Sequence, residues 1–230
     1  MRLSIVIPVL NEADGIRAFL ASLQDLRAQG HEIIIADGGS RDDTAQQAGT
    51  LVDQIIQCPA GRALQMNAGA AVAHGDILFF LHADSLVPAN CAALILNGLA
   101  HSAKRWGRFD IKLSGKRLMF RVVERFMNMR SRWTGISTGD QGLFVERKLF
   151  HSVGGFPSIP LMEDIAMSTR LKRVERPLCL VNPMVTSSRR WEQQGLWRTI
   201  WLMWRLRFAY WRGIDPAELA RIYYPNSARS

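Results

Sequence analysis

Cysteine is scarce: Cys58, Cys91 and Cys179 stand far apart, with no Cys-x-x-Cys pair. Neither a zinc-ligand pattern nor a disulfide-stapled fold follows, and a reducing compartment is expected. No apolar run reaches the roughly 18 residues of a membrane span, and the opening MRLSIVIPVLNE has too short an apolar stretch for a secretory leader. The expected location is cytoplasmic, with any membrane contact peripheral, on the inner face. There is no GxGxxG after the first strand and no GxxxxGK[ST], which excludes a dinucleotide-binding Rossmann domain and a phosphate-loop NTPase. Acidic residues are also few, 20 against 29 Lys and Arg, and the deficit is lopsided. Residues 1–100 carry 5 basic and 10 acidic side chains, a net of −5, and residues 101–230 carry 24 and 10, a net of +14. The two halves therefore face different partners.

What is present suits a folded domain: 230 residues with 48% hydrophobic and 21% charged side chains exclude disorder and can bury a sizeable core. The first hundred residues alternate β-branched runs with helical patterns, the mark of βαβ units. Strands are predicted at Leu3–Val9, Glu32–Ala36, Gln54–Gln57 and Ile77–Leu81. Helices are predicted at Asp14–Gln29, from Asp42 or Asp43 to Gly49, and at Gly61–His74. Beyond residue 100 the pattern blurs: strands at Gly107–Leu113 and Gly142–Glu146, a basic stretch Lys116–Arg132, a helix after Pro160, a clear helix Leu196–Arg212 and a short one from Pro216 to Tyr223.

In a parallel sheet the ligand crevice lies beyond the carboxyl ends of the strands. Glu12, Asp37 and Asp84 each follow a strand there. Carboxylates suit ring N–H and ribose hydroxyls of a nucleotide, or a hard divalent cation. For Asp37 in Asp-Gly-Gly-Ser, ordinary turn chemistry is an equal reading.

Motifs in order carry a resemblance: Pro8-Val9-Leu10-Asn11-Glu12; Ala36-Asp37-Gly38-Gly39-Ser40; Gly61-Arg62-Ala63 with Asn67 and Gly69; His82-Ala83-Asp84; and, in the second half, Gly139-Asp140-Gln141-Gly142 and Gly154-Gly155-Phe156-Pro157 before Glu163-Asp164. Together they resemble glycosyltransferase family 2. The resemblance implies an α/β GT-A fold with a mostly parallel central sheet flanked by helices, and a C-terminal amphipathic helical extension is added to it here. Residues 1–192 would be the GT-A domain, its donor half about 1–100 and its acceptor half about 101–192, with 193–230 the basic Trp/Arg-rich extension.

The resemblance further implies inverting transfer from a nucleotide-diphosphate-sugar to an acceptor hydroxyl. By position, Pro8 and Glu12 would line the nucleoside pocket, Asp37 would bind the base, Arg62 and Asn67 would border the diphosphate and sugar, and Gln141 and Glu163 would sit on the substrate side. Asp84 would hold a divalent metal, Mn or Mg, and Asp164 would be the catalytic base. The first position of the family's Asp-x-Asp metal motif is here His82, a candidate ribose contact or nitrogen ligand. No histidine follows His151, so Arg189 and Arg190 are candidates to offset diphosphate charge.

In Leu196–Arg212 the spacing puts Trp197, Trp201, Trp204, Phe208 and Trp211 on one stripe, with Arg198, Arg205 and Arg212 on its flank. Such a stripe packs on its own domain, on a second copy of the chain in a homodimer, or on a lipid surface. The last suits a lipid-type acceptor. Nucleic acid is not expected, since no helix-turn-helix or stacking platform is present. The competing function is a membrane-surface or polyanion-binding module that keeps the GT-A fold without transferase activity.

Overall fold

A computed structural model describes residues 1–188, 192 and 195–224. Its strands are β1 (Leu3–Val9), β2 (Glu32–Asp37), β3 (Gln54–Gln57), β4 (Ile77–Phe80), β5 (Ser85–Leu86), β6 (Trp106–Leu113), β7 (Leu143–Glu146) and β8 (Leu178–Thr186). The helices are α1 (Ala13–Ala21), α2 (Gln24–Ala28), α3 (Thr44–Ala48), α4 (Arg62–Val72), α5 (Cys91–Ser102), α6 (Leu118–Thr134), α7 (Arg147–Ser152), α8 (Glu163–Val174), α9 (Leu196–Trp211) and α10 (Pro216–Tyr223).

One eight-stranded sheet runs in the order β3-β2-β1-β4-β7-β6-β8-β5. The expected mostly parallel sheet is corrected to a mixed one. β3, β2, β1 and β4 are parallel neighbours, as βαβ crossovers require, but β7 pairs antiparallel with both β4 and β6, and β5 pairs antiparallel with β8. Alternation in β1 sends Leu3, Ile5 and Ile7 into the core cluster shared with α1 and α5, and Val6 into the cluster shared with α4 and α8. Both faces are therefore covered, which is why these strands read as nearly continuous apolar runs.

The predicted helix over residues 14–29 is two helices. The Ser22 hydroxyl donates to the Phe19 carbonyl at 2.6 Å, and the Gln24 amide donates to the Leu20 and Leu51 carbonyls, closing the break with side chains. The basic stretch is the helix α6, which turns Glu124 and Asn128 inward beside the buried Phe120 and Val123. Glu124 accepts from the Leu113 N–H at 2.6 Å, and the Asn128 amide bridges the N–H and C=O of Ile111, at 2.9 and 3.0 Å. The helices α9 and α10 pack on the rest of the chain: Leu206 and Leu219 meet Leu161 and Met162, and Leu196 and Ile200 meet Leu113, Phe120 and Val123. The tryptophans of α9 stay largely exposed.

Candidate functional site

Parallel pairing aligns the strand ends. Pro8 lies beside Ala36, Val9 beside Asp37, and Asp37 beside Gln57, so Pro8 and Asp37 share one edge. Glu12, exposed, precedes α1, its backbone N–H donating to Thr44 Oγ1 at 2.8 Å. Asp37 is buried and both its oxygens are engaged: Oδ1 accepts from the Ser40 N–H and hydroxyl at 2.9 and 2.7 Å, Oδ2 from the Gln57 amide at 2.8 Å. It organises the turn while leaving lone pairs free, so both readings of this residue keep their footing.

The end of β4 opens into a cavity of about 460 Å³, whose lining includes Arg62, His82, Asp84, Asp140 and Asp164. Glu163, at the start of α8, lines a smaller adjoining recess with His82, Gly139 and Asp164. Asp164 is oriented by two backbone donors, the Gly139 N–H at 2.8 Å on Oδ2 and the Ile165 N–H at 2.7 Å on Oδ1. Position 139 must be glycine: a Cβ there would lie 2.6 Å from His82 Nε2. One backbone position thus holds the carboxylate and admits the imidazole.

The environment tunes these groups. Burial, with Arg62 adding to it, pushes His82 down to about 3, so its ring is uncharged and a nitrogen lone pair is available. Burial and the Asp164 carboxylate push Glu163 up to about 7, against the pull of Arg62. A raised carboxyl stabilises the fold fully below its unfolded pKa near 4.5 and loses that contribution as pH rises through about 7. Glu163→Gln removes the dependence. Melts across pH 4.5–8 are expected to show the variant gaining on the wild type by about 2–12 °C at the alkaline end, from about 1–3 kcal/mol. Parallel curves would show that Glu163 does not titrate there.

Two expected site residues bond to backbone groups. The Asn67 amide is spent on the Phe156 backbone, donating to its C=O at 2.8 Å and accepting from its N–H at 2.9 Å. It pins the Gly154-Gly155-Phe156 turn. Gln141 is fully buried and closes a capping box with Thr138, whose N–H donates to Gln141 Oε1 at 3.1 Å. Arg189 and Arg190 lie outside the described residues. Reading the sequence missed Asp140, Arg130 and Arg207, which all line the cavity. Asp140 stood inside a quoted motif, beside the residue chosen from it.

Among the described residues no three His, Cys, Asp or Glu side chains converge on a point. Asp84 and the uncharged His82 nevertheless line one cavity. One carboxylate and one nitrogen suit a hard cation that keeps its other positions for water and phosphate oxygens.

The same fold occurs in solved structures. S. aureus TarS 1-349 matches with a TM-score of 0.69 at 16% identity, over 82% of this chain and 61% of that one. A mannosyltransferase from Pyrobaculum calidifontis, in complex with GDP-Man and Mn2+, matches with a TM-score of 0.66 at 20% identity, over 90% and 61%. Glucosyl-3-phosphoglycerate synthase from Mycobacterium tuberculosis, in complex with Mn2+, UDP and glucosyl-3-phosphoglycerate, gives 0.59 at 19%, over 81% and 70%. This chain thus spans less than two thirds of the length of the first two. No curated protein matches the sequence significantly. The GT-A architecture expected from the motifs is the one these neighbours share, and the model for glycosyl transferase family 2 matches residues 4–153, from β1 through α7, so the chain belongs to that family.

Proposed function

We propose that the protein transfers a sugar from a nucleotide-diphosphate-sugar to an acceptor hydroxyl, with inversion at the anomeric carbon. The observation that carries this reading is the convergence of Asp84, His82, Arg62 and Asp164 on one cavity at the carboxyl edge of the sheet. We take residues 1–192 as the catalytic unit, donor half about 1–100 and acceptor half about 101–192, and 193–230 as an extension. Pro8, Glu12 and Asp37 receive the nucleoside; Arg62 faces the diphosphate, with Arg189 and Arg190 as further cations. A divalent cation, Mn or Mg, held by Asp84 with His82, would offset the charge gathering on the leaving diphosphate. Asp164 accepts the proton of the acceptor hydroxyl as that oxygen bonds to the anomeric carbon and the bond to the diphosphate oxygen breaks. The nucleotide-sugars and Mn2+ in the structural neighbours support the donor and metal assignments.

A thermal-shift screen of UDP- and GDP-sugars with Mn2+ or Mg2+ tests it. Ligand at a hundredfold excess over Kd is expected to stabilise by about 2.7 kcal/mol, and Asp84→Ala to remove the metal-dependent part. No shift with any nucleotide-sugar in either metal favours the binding-module reading instead.

The acceptor is read as a lipid-type molecule, met by peripheral contact with a membrane. No described helix is long and apolar enough to cross one. On α9, Trp197, Trp201, Trp204, Phe208 and Trp211 are 71%, 63%, 58%, 59% and 78% exposed, and α6 likewise turns Leu118, Val122, Phe126 and Trp133 outward. Phe126 stacks on Trp204 at 5.6 Å, joining the two faces. The lone acid of α6, Glu124, is buried and α9 has none, whereas Arg125, Arg198, Arg205 and Arg212 are exposed. Tryptophan beside arginine suits an anionic lipid interface, each cation there adding about 1 kcal/mol. Flotation with phosphatidylglycerol-containing vesicles is expected to carry the protein, and the triple variant Trp197→Ala, Trp201→Ala, Trp211→Ala to bind at least about tenfold less. Absence of wild-type binding at low salt would remove the membrane from the reading.

A further inference from the structure

The lining of the cavity between α6 and α9 changes character in the same order on both helices. On α6, Met119, Val122 and Phe126 precede Arg130; on α9, Trp197, Ile200 and Trp204 precede Arg207. Phe126 and Trp204 are stacked, and each arginine follows its stacked neighbour by about one helical turn. The two cationic positions therefore come to the same level, past an apolar wall, in the cavity that also holds Asp140 and Asp164.

Arg130 is not satisfied by the protein. Its Nε and Nη2 are buried without a hydrogen-bond partner. Among the described residues no carboxylate lies within salt-bridge distance of Arg130 or Arg207, whereas Arg27, Arg105, Arg108, Arg121 and Arg132 all have one. Burial, and then Arg207, lower the Arg130 pKa to about 10, against the partial pull of the Asp140 and Asp164 carboxylates, so it remains charged at neutral pH but its idle donors stay unmet. A buried guanidinium with idle donors beside a second cation is costly. An anion with several acceptor oxygens, placed between the two forks, relieves both the idle donors and the repulsion.

We propose that Arg130 and Arg207 form an anion subsite for the acceptor. The acceptor class is then an amphiphile with three parts: a hydroxyl for Asp164, a phosphate-class group for the two arginines, and an apolar body lying between α6 and α9. This rests on the reading of Asp164 as the base on the acceptor side. It narrows a lipid-type acceptor to an anionic one.

The probe is dodecyl phosphate below its micelle concentration, read by tryptophan fluorescence, since Trp197 and Trp204 line the cavity. Dodecanol supplies the chain without the anion, and inorganic phosphate the anion without the chain. Wild-type protein is expected to bind dodecyl phosphate about 10–100-fold more tightly than either control. Arg207→Gln is expected to bring it down to the dodecanol level, and Arg130→Lys, which keeps the charge but loses the fork, to an intermediate one. Equal binding of dodecyl phosphate and dodecanol by the wild type overturns the proposal without any variant. Inorganic phosphate binding as tightly as dodecyl phosphate overturns the amphiphile and leaves a free-anion site. UDP with Mn2+ is titrated on the same proteins: if Arg207→Gln weakens UDP and spares dodecyl phosphate, the arginines serve the donor and the proposal fails. A wild type that binds dodecyl phosphate selectively but no nucleotide would count against the transferase reading and leave the subsite standing.

Discussion

Asp164→Asn is expected to lose sugar transfer by about 10²–10⁴-fold, the usual worth of a positioned general base, while nucleotide binding stays near the wild-type level. Each Asp164 oxygen accepts one backbone N–H, from Gly139 and Ile165. A carboxylate oxygen has lone-pair capacity for a second donor, so either can still receive the acceptor hydroxyl. Asparagine keeps the shape but turns one oxygen into an NH₂, which cannot take a proton and cannot accept from the N–H it faces. Pro8, Glu12 and Asp37, proposed for the nucleoside, stand at the ends of β1 and β2, on elements other than α8, and among the described residues proposed for the donor only Arg62 feels the Asp164 charge. A second signature follows from the neighbour. Removing the Asp164 charge takes away one of the two causes that raise Glu163, so the variant's titration near pH 7 should move down. Transfer assays and UDP titrations on the same preparations separate the effects. Turnover retained within about tenfold of wild type would move the base elsewhere.

The first hundred residues were legible because their signals are local. Leu3–Val9 and Gln54–Gln57 are strands over the predicted bounds, the first as a buried apolar run and the second as a short half-buried edge strand. Strand ends then located Glu12, Asp37 and Asp84 by the general rule for parallel sheets. What failed depended on partners far away in sequence. β8 was missed because Pro183 sits inside it; the structure accommodates the proline at a register shift, where Phe109 pairs with Leu180 but Asp110 already pairs with Pro183. The basic stretch hid α6 because that helix mixes the usual arrangement, burying Phe120 and Val123 beside Glu124 and Asn128, which bond the backbone of β6, while Val122, Phe126 and Trp133 face outward. Asn67 and Gln141 matched motifs in type and spacing, and nothing in the sequence says that the Asn67 amide meets the Phe156 backbone or that Gln141 Oε1 accepts from Thr138 while its Nε2 has no partner. Side-chain chemistry is readable from a sequence; which backbone group will claim it is not.

Asp110→Ala is expected to destabilise the fold by about 3–5 kcal/mol, the cost of leaving one member of a buried ion pair alone, which for a chain of this size lowers Tm by about 6–20 °C. Arg108 is fully buried on β6, and Asp110, two residues on, projects to the same face. Arg108 Nη1 bonds Asp110 Oδ1, while Arg132 on α6 reaches Asp110 Oδ2 at 2.5 Å. One carboxylate therefore serves two guanidinium groups on two elements. Without it Arg108 keeps only a 3.2 Å bond from Nη2 to the Asn128 carbonyl, its Nε already having no partner. Adding Arg108→Met should restore most of the loss, because the uncompensated charge and not the missing contact is what costs. Urea melts of the wild type, both single variants and the double variant give the coupling directly. A loss below about 1 kcal/mol for Asp110→Ala would mean that water reaches Arg108. The same carboxylate ties α6 to β6 by its polar side, and that tie turns Val122, Phe126 and Trp133 outward, so Asp110→Ala should also weaken vesicle binding although Asp110 lies away from the exposed face.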